Sequence, residues 1–67
     1  MVKLTVNGKQ FSFETEISGA LLLEQLGLTP ATVVAELNGE VVKREQFLDR
    51  ALSDGDVIEL VTVVGGG

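Results

Sequence analysis

The sequence predicts a small α+β roll, a sheet wrapped around one main helix, and three observations carry that expectation. Near the N-terminus two short runs alternate apolar and polar residues about an Asn7-Gly8 pair, the period and punctuation of a β-hairpin. A leucine-rich stretch follows, residues 19–26, whose apolar positions recur at the spacing of one helix face. Residues 57–64 are nearly all apolar or β-branched, as in a strand that lies centrally in a sheet.

Taken in order, Val2, Leu4 and Val6 alternate with Lys3 and Thr5, so one side of the first strand is buried. Asn7-Gly8 tolerates the positive φ angles of a tight turn, and a second strand should start near Lys9. There Phe11 and Phe13 alternate with Gln10, Ser12 and Glu14. Ser18 is placed as a helix N-cap, and Gly19, Leu22, Leu23 and Leu26 fall at i, i+3, i+4 and i+7. Gly27 suits a left-handed C-cap, and Leu28 can fold back on the helix end. Leu21 lies off the stripe. Pro30 should enforce a non-helical connection. Val33, Ala35 and Leu37 alternate with Val34 and Glu36 as a third strand, which Asn38-Gly39 turns into the short strand Glu40-Val41-Val42. Residues 43–47 read as one helical turn anchored by Phe47 and Leu48. Ser53-Asp54-Gly55-Asp56 is a turn cluster ahead of the last strand. Its acids lack the run of oxygen ligands that a calcium loop needs. On the last strand Ile58 and Leu60 should face the core, leaving Val57, Glu59, Val61 and Val63 on the opposite face.

Composition narrows the chemistry. A chain of 67 residues is one domain, and it buries only about 60% of the surface its unfolded form exposes. It has neither cysteine nor histidine, so no disulfide, thiol nucleophile, imidazole base or ordinary zinc, haem or iron–sulfur site is available. Serine–histidine hydrolysis is excluded with them. The three phenylalanines are the only aromatics, and they are needed in the core. A net charge of −5 opposes a nucleic-acid partner. The first residues read as a strand rather than a secretory signal, and no apolar run reaches the roughly 20 residues of a bilayer span, so a cytoplasmic protein is expected.

Several local sequences, in this order, resemble the ThiS family of thiamin-biosynthesis sulfur carriers. They are Val6-Asn7-Gly8-Lys9, Leu22-Leu23-Glu24-Gln25-Leu26, Leu37-Asn38-Gly39-Glu40-Val41-Val42, Arg44-Glu45-Gln46-Phe47, residues 52–60 and the terminal Val64-Gly65-Gly66-Gly67. Lys43 stands where that family often has proline. The resemblance implies a ubiquitin-like β-grasp fold, a mixed sheet of four to five strands around one main helix. It divides the chain into a β-grasp domain, residues 1–64, and a flexible glycine tail, residues 65–67.

What the resemblance implies about function concerns that tail. A ThiF-like adenylating enzyme, using ATP and Mg²⁺ that this chain does not itself bind, would adenylate the carboxylate of Gly67. A sulfur donor, a cysteine desulfurase or other persulfide enzyme, would convert it to a thiocarboxylate for thiazole synthase. The chain is then a carrier and not an enzyme. Gly65 and Gly66, having no Cβ, can pass through a narrow channel, and the Gly67 carbonyl is unhindered. Ordering the tail costs about 1–2 kcal/mol per residue, which a docking surface must offset. The expected surface is the outward face of the last strand, Val57, Val61 and Val63, with Val34 and Thr5 beside it. Other pathways remain open: the small subunit of molybdopterin synthase, a carrier for tRNA thiolation, a ubiquitin-like protein modifier, or a structural domain in which the tail is irrelevant.

Overall fold

A computed structural model describes residues 1–63 of the chain. Strands β1 (Val2–Val6) and β2 (Lys9–Phe13) form the expected antiparallel hairpin, in register from Val2 opposite Phe13 to Val6 opposite Lys9. Asn7 and Gly8 both take positive φ, +50° and +82°, the requirement of the tight turn whose twist matches the strands it joins. A two-residue strand, β3 (Ile17–Ser18), leads into helix α1 (Gly19–Leu26). After a single 3-10 turn (Pro30–Thr32) come β4 (Val33–Leu37) and β5 (Glu40–Val42), again joined by an Asn-Gly turn. Helix α2 (Arg44–Asp49), the two-residue strand β6 (Ala51–Leu52) and the long strand β7 (Val57–Thr62) follow.

The main sheet has the order β2-β1-β7-β4-β5, and β3 pairs separately with β6. β7 lies at the centre, parallel to β1 and antiparallel to β4. One face of the sheet contributes Leu4, Val6, Val33, Ala35, Leu37, Ile58 and Leu60 to a core that α1 closes with Leu22 and Leu23. Ile17, Phe47 and Leu52 complete it, and each fully buried side chain of this kind contributes about 1.5–3 kcal/mol.

Helix α1 is bounded as its sequence requires. The Ser18 hydroxyl accepts from the Leu21 N–H at 3.1 Å. At the other end Gly27 is left-handed, its N–H donates to the Glu24 carbonyl at 3.1 Å, and the Leu28 N–H reaches back to the Leu23 carbonyl at 2.9 Å. Leu28 packs against the core, whereas Leu21 is exposed. Gly19 is buried for a different reason. A Cβ there would meet the carbonyl oxygen of Phe47 and lie 2.8 Å from its carbonyl carbon and from its ring, so only glycine lets α1 and α2 approach this closely.

Three details depart from the sequence reading. The connection at Pro30 is one 3-10 turn, because a proline at the first helical position has no N–H that the turn needs. Helix α2 continues past Phe47 to Asp49 rather than stopping after one turn. The β3–β6 pair goes unpredicted, since two residues per strand are too few to show a period.

Candidate functional site

The site is built on β7, the strand that leads to the C-terminus. Its inward residues Ile58 and Leu60 fix it to the core, and its two neighbours hold its backbone beyond their own ends. On the β1 side, Thr5 donates its N–H to the Asp56 carbonyl and Asn7 donates its N–H to the Ile58 carbonyl, both at 3.0 Å. In a parallel ladder the next bond would run from the Leu60 N–H to the carbonyl of Asn7. Because the chain turns at Asn7, the side chain takes that role. The Leu60 N–H donates to Asn7 Oδ1 at 2.8 Å, and Asn7 Nδ2 donates to the Leu60 carbonyl at 3.2 Å.

The β4 side repeats the device. Asn38 donates its N–H to the Val57 carbonyl at 2.7 Å and accepts the Val57 N–H on Oδ1 at 2.9 Å. Its Nδ2 donates to Asp56 Oδ1 at 3.1 Å. Both Asn-Gly turns therefore serve twice, reversing the chain and gripping β7. The acids before β7 are likewise committed to backbone: Asp54 Oδ1 accepts the Lys3 N–H at 2.7 Å and Asp56 Oδ2 accepts the Ser53 N–H at 2.8 Å. Among the described residues no group of three or more His, Cys, Asp or Glu side chains could hold a metal ion.

The outward face of the sheet carries both exposed valines and a pair of glutamates. Val57, Val61 and Val63 are 47%, 56% and 49% exposed, and Val34 and Val41 are exposed beside them. Thr5 is opposite Val57 and Val34 is opposite Val61, as the sequence reading expected of this face. Between Val57 and the Val34–Val61 pair, Glu36 and Glu59 stand directly opposite each other. The bonds Asn38 N–H to Val57 and Val63 N–H to Thr32 make every second pair between them a hydrogen-bonded one, Glu36–Glu59 included. Like charges in that arrangement are destabilising. The sequence reading missed this pair because only the register reveals it.

The last described residue is also held. The Val63 N–H donates to the Thr32 carbonyl at 2.7 Å, so β7 leaves the sheet beside the 3-10 turn. Gly65, Gly66 and Gly67, the expected tail and reacting terminus, lie outside the described residues, as does the proposed domain boundary at residue 64. A hollow of about 200 Å³ lined by Leu37, Asn38, Glu40, Val42 and Arg50 opens at the opposite end of β4. It is smaller than the roughly 300–1,000 Å³ of ordinary ligand pockets. No helix among the described residues is long and apolar enough to cross a membrane.

The sequence model of the ThiS family matches residues 3–67, nearly the whole chain. The chain belongs to the ThiS family. Over 66 residues it is 36% identical to the sulfur carrier protein ThiS of Bacillus subtilis (strain 168), covering 96% of this chain and 98% of that one. The crystal structure of the thiamine biosynthesis protein ThiS from Geobacter metallireducens superposes with a TM-score of 0.78 at 39% identity, covering 98% of this chain and 100% of that chain. The α+β roll is thus the β-grasp of ThiS proteins. A third relative is larger: a thiazole synthase of Paramagnetospirillum magneticum (strain ATCC 700264 / AMB-1) is 35% identical over 66 residues, and that match spans 98% of this chain but 20% of the relative.

Proposed function

We propose that this ThiS-family chain is a sulfur carrier of thiamin biosynthesis whose working group is the terminal carboxylate of Gly67. The observation that carries the reading is the end-to-end likeness to sulfur carrier proteins, on a fold whose central strand is the last described element before the C-terminal glycines in the sequence. A carboxylate is a poor electrophile. In this reading a ThiF-like enzyme with ATP and Mg²⁺ lets the Gly67 carboxylate attack the α-phosphorus, releasing pyrophosphate and forming an acyl-adenylate. The terminal sulfur of a persulfide donor then attacks the carbonyl carbon and AMP departs. A further thiol cleaves the resulting S–S bond, forming a disulfide and leaving the thiocarboxylate. Every catalytic group belongs to the partners, and this chain contributes the carboxylate and its presentation.

The partner enzymes dock, in this proposal, on the outward face of β7 through Val57, Val61 and Val63, with Val34 beside them. The Glu36–Glu59 pair at its centre favours a partner that brings a cation between them, which removes the like-charge cost. The thiazole synthase that contains a stretch similar to this whole chain supports thiazole synthase as the consumer of the sulfur. Incubation with the activating enzyme, ATP and Mg²⁺ tests the reading. Pyrophosphate release and an acyl-adenylate mass are expected, followed, on adding a persulfide donor, by the mass gain of one sulfur replacing one oxygen. Isopeptide-linked products in place of a thiocarboxylate would instead identify a protein modifier.

A further inference from the structure

Helix α2 does more than fill the core. Phe47, its central residue, is buried, and the Gly19 contact presses its backbone against α1. The first residue of that anchored helix is Arg44. Its Nε donates to the Pro30 carbonyl at 2.8 Å and its guanidinium Nη2 donates to the Ala31 carbonyl at 3.1 Å. The next carbonyl in the chain, that of Thr32, accepts the Val63 N–H at 2.7 Å. That bond is the last one of β7 toward the C-terminus among the described residues. Three consecutive carbonyls are thus fixed, two by Arg44 and one by the strand that leads to the tail.

We infer that Arg44 is a positioning residue for the root of the C-terminal tail: it holds the Pro30–Thr32 turn to α2, and the turn in turn holds Val63, the residue from which the tail sequence continues. Arginine suits the task because its planar fork supplies two donors at a fixed separation, whereas lysine offers a single ammonium. The guanidinium lies at the surface, where loss of its bonds does not open the core. Its consequence should therefore be local. The inference rests on the proposed function only in that the tail it aims is the reacting group. Arg44 is not among the docking residues, and Val57 and Val61 lie within β7, so a loosened root should lower the rate of the bound tail's reaction more than it weakens binding.

The test compares the full chain with Arg44→Gln, Arg44→Lys and the surface control Glu45→Gln, by amide hydrogen exchange and by adenylation kinetics. Arg44→Gln is expected to speed exchange at Val63 by about tenfold, the weight of a charge-assisted hydrogen bond, with Ile58 and Leu60 unchanged. The kcat for pyrophosphate release should fall by a similar factor with a smaller change in KM, with Arg44→Lys intermediate and Glu45→Gln as wild type. Unchanged exchange at Val63, or equal acceleration at Ile58 and Leu60, overturns the inference. So does a rise in KM with kcat intact. If no activating enzyme adenylates even the wild-type chain, the sulfur-carrier reading fails, while the Val63 exchange pattern still decides whether Arg44 holds the root.

Discussion

Replacing Asn7 by alanine isolates how β7 is held. The substitution removes two hydrogen bonds to Leu60, one from its N–H at 2.8 Å and one to its carbonyl at 3.2 Å, in partly buried surroundings. Each such bond contributes about 0.5–1.5 kcal/mol, so the pair accounts for roughly 1–3 kcal/mol. Alanine must also hold the φ of +50° that asparagine tolerates, which adds about 1 kcal/mol. The expected loss is then about 2–4 kcal/mol. A 67-residue domain has about 3–10 kcal/mol of stability in total, so the variant should sit near its folding limit. In thermal unfolding the midpoint should drop by about 10–25 °C, and in urea the midpoint should fall with the slope m unchanged. Asn7→Asp gives the internal comparison, because it keeps an acceptor for the Leu60 N–H and the tolerance of positive φ, while an oxygen replaces the donor that faced the Leu60 carbonyl. It should cost less than alanine. An Asn7→Ala midpoint within a few degrees of wild type would refute the idea that this side chain extends the β1–β7 ladder.

The other predictions probe separate parts of the chain. Gly19→Ala drives a methyl group into the Phe47 carbonyl, a wall of backbone that can only shift, and should cost about 1–3 kcal/mol or more by urea titration. Glu59→Lys turns a like-charged cross-strand pair into an opposite one and should add about 0.2–1 kcal/mol at low salt, while slowing association with a basic activating enzyme. Val61→Asp should cost no more than about 1 kcal/mol of stability, since Val61 is exposed, yet raise KM for adenylation; intact fold with intact adenylation removes this face as the docking surface. Deletion of Gly66 and Gly67 should abolish pyrophosphate release, and unchanged activity would mean that the tail is irrelevant.

Most of the architecture is local, and that part could be read from the sequence. The two Asn-Gly turns, the Ser18 and Gly27 caps and the alternation of the long strands each depend on residues close together in the chain. So did the outward placement of Val57, Glu59, Val61 and Val63, because a period of two is enough to assign a face. What stayed hidden depends on register and on contacts across the fold. Nothing in residues 36 and 59 taken separately says that they meet. Nor does an Asn-Gly pair announce that its asparagine will bond a strand 53 residues away, as Asn7 does at Leu60. Gly19 read as a helix-stripe residue, and only the close approach of α2 shows why a larger residue fails there. Arg44 carried a family likeness but no reason for it until its carbonyl partners were in view.

The hidden features share a destination. Asn7 and Asn38 grip β7 from its two neighbours, and Arg44 acts through Thr32 on its last bond. The outward side of the same strand contributes less to folding, since its valines are about half exposed and flank two opposed carboxylates. A surface selected for stability alone would separate those charges and replace those valines, because either change is easily made without touching the core. Having both at the centre of the sheet, on the last strand before the C-terminal glycines in the sequence, is what a docking face would require. The stabilising contacts hold β7 still, so that the destabilising ones can be presented to a partner in a fixed arrangement.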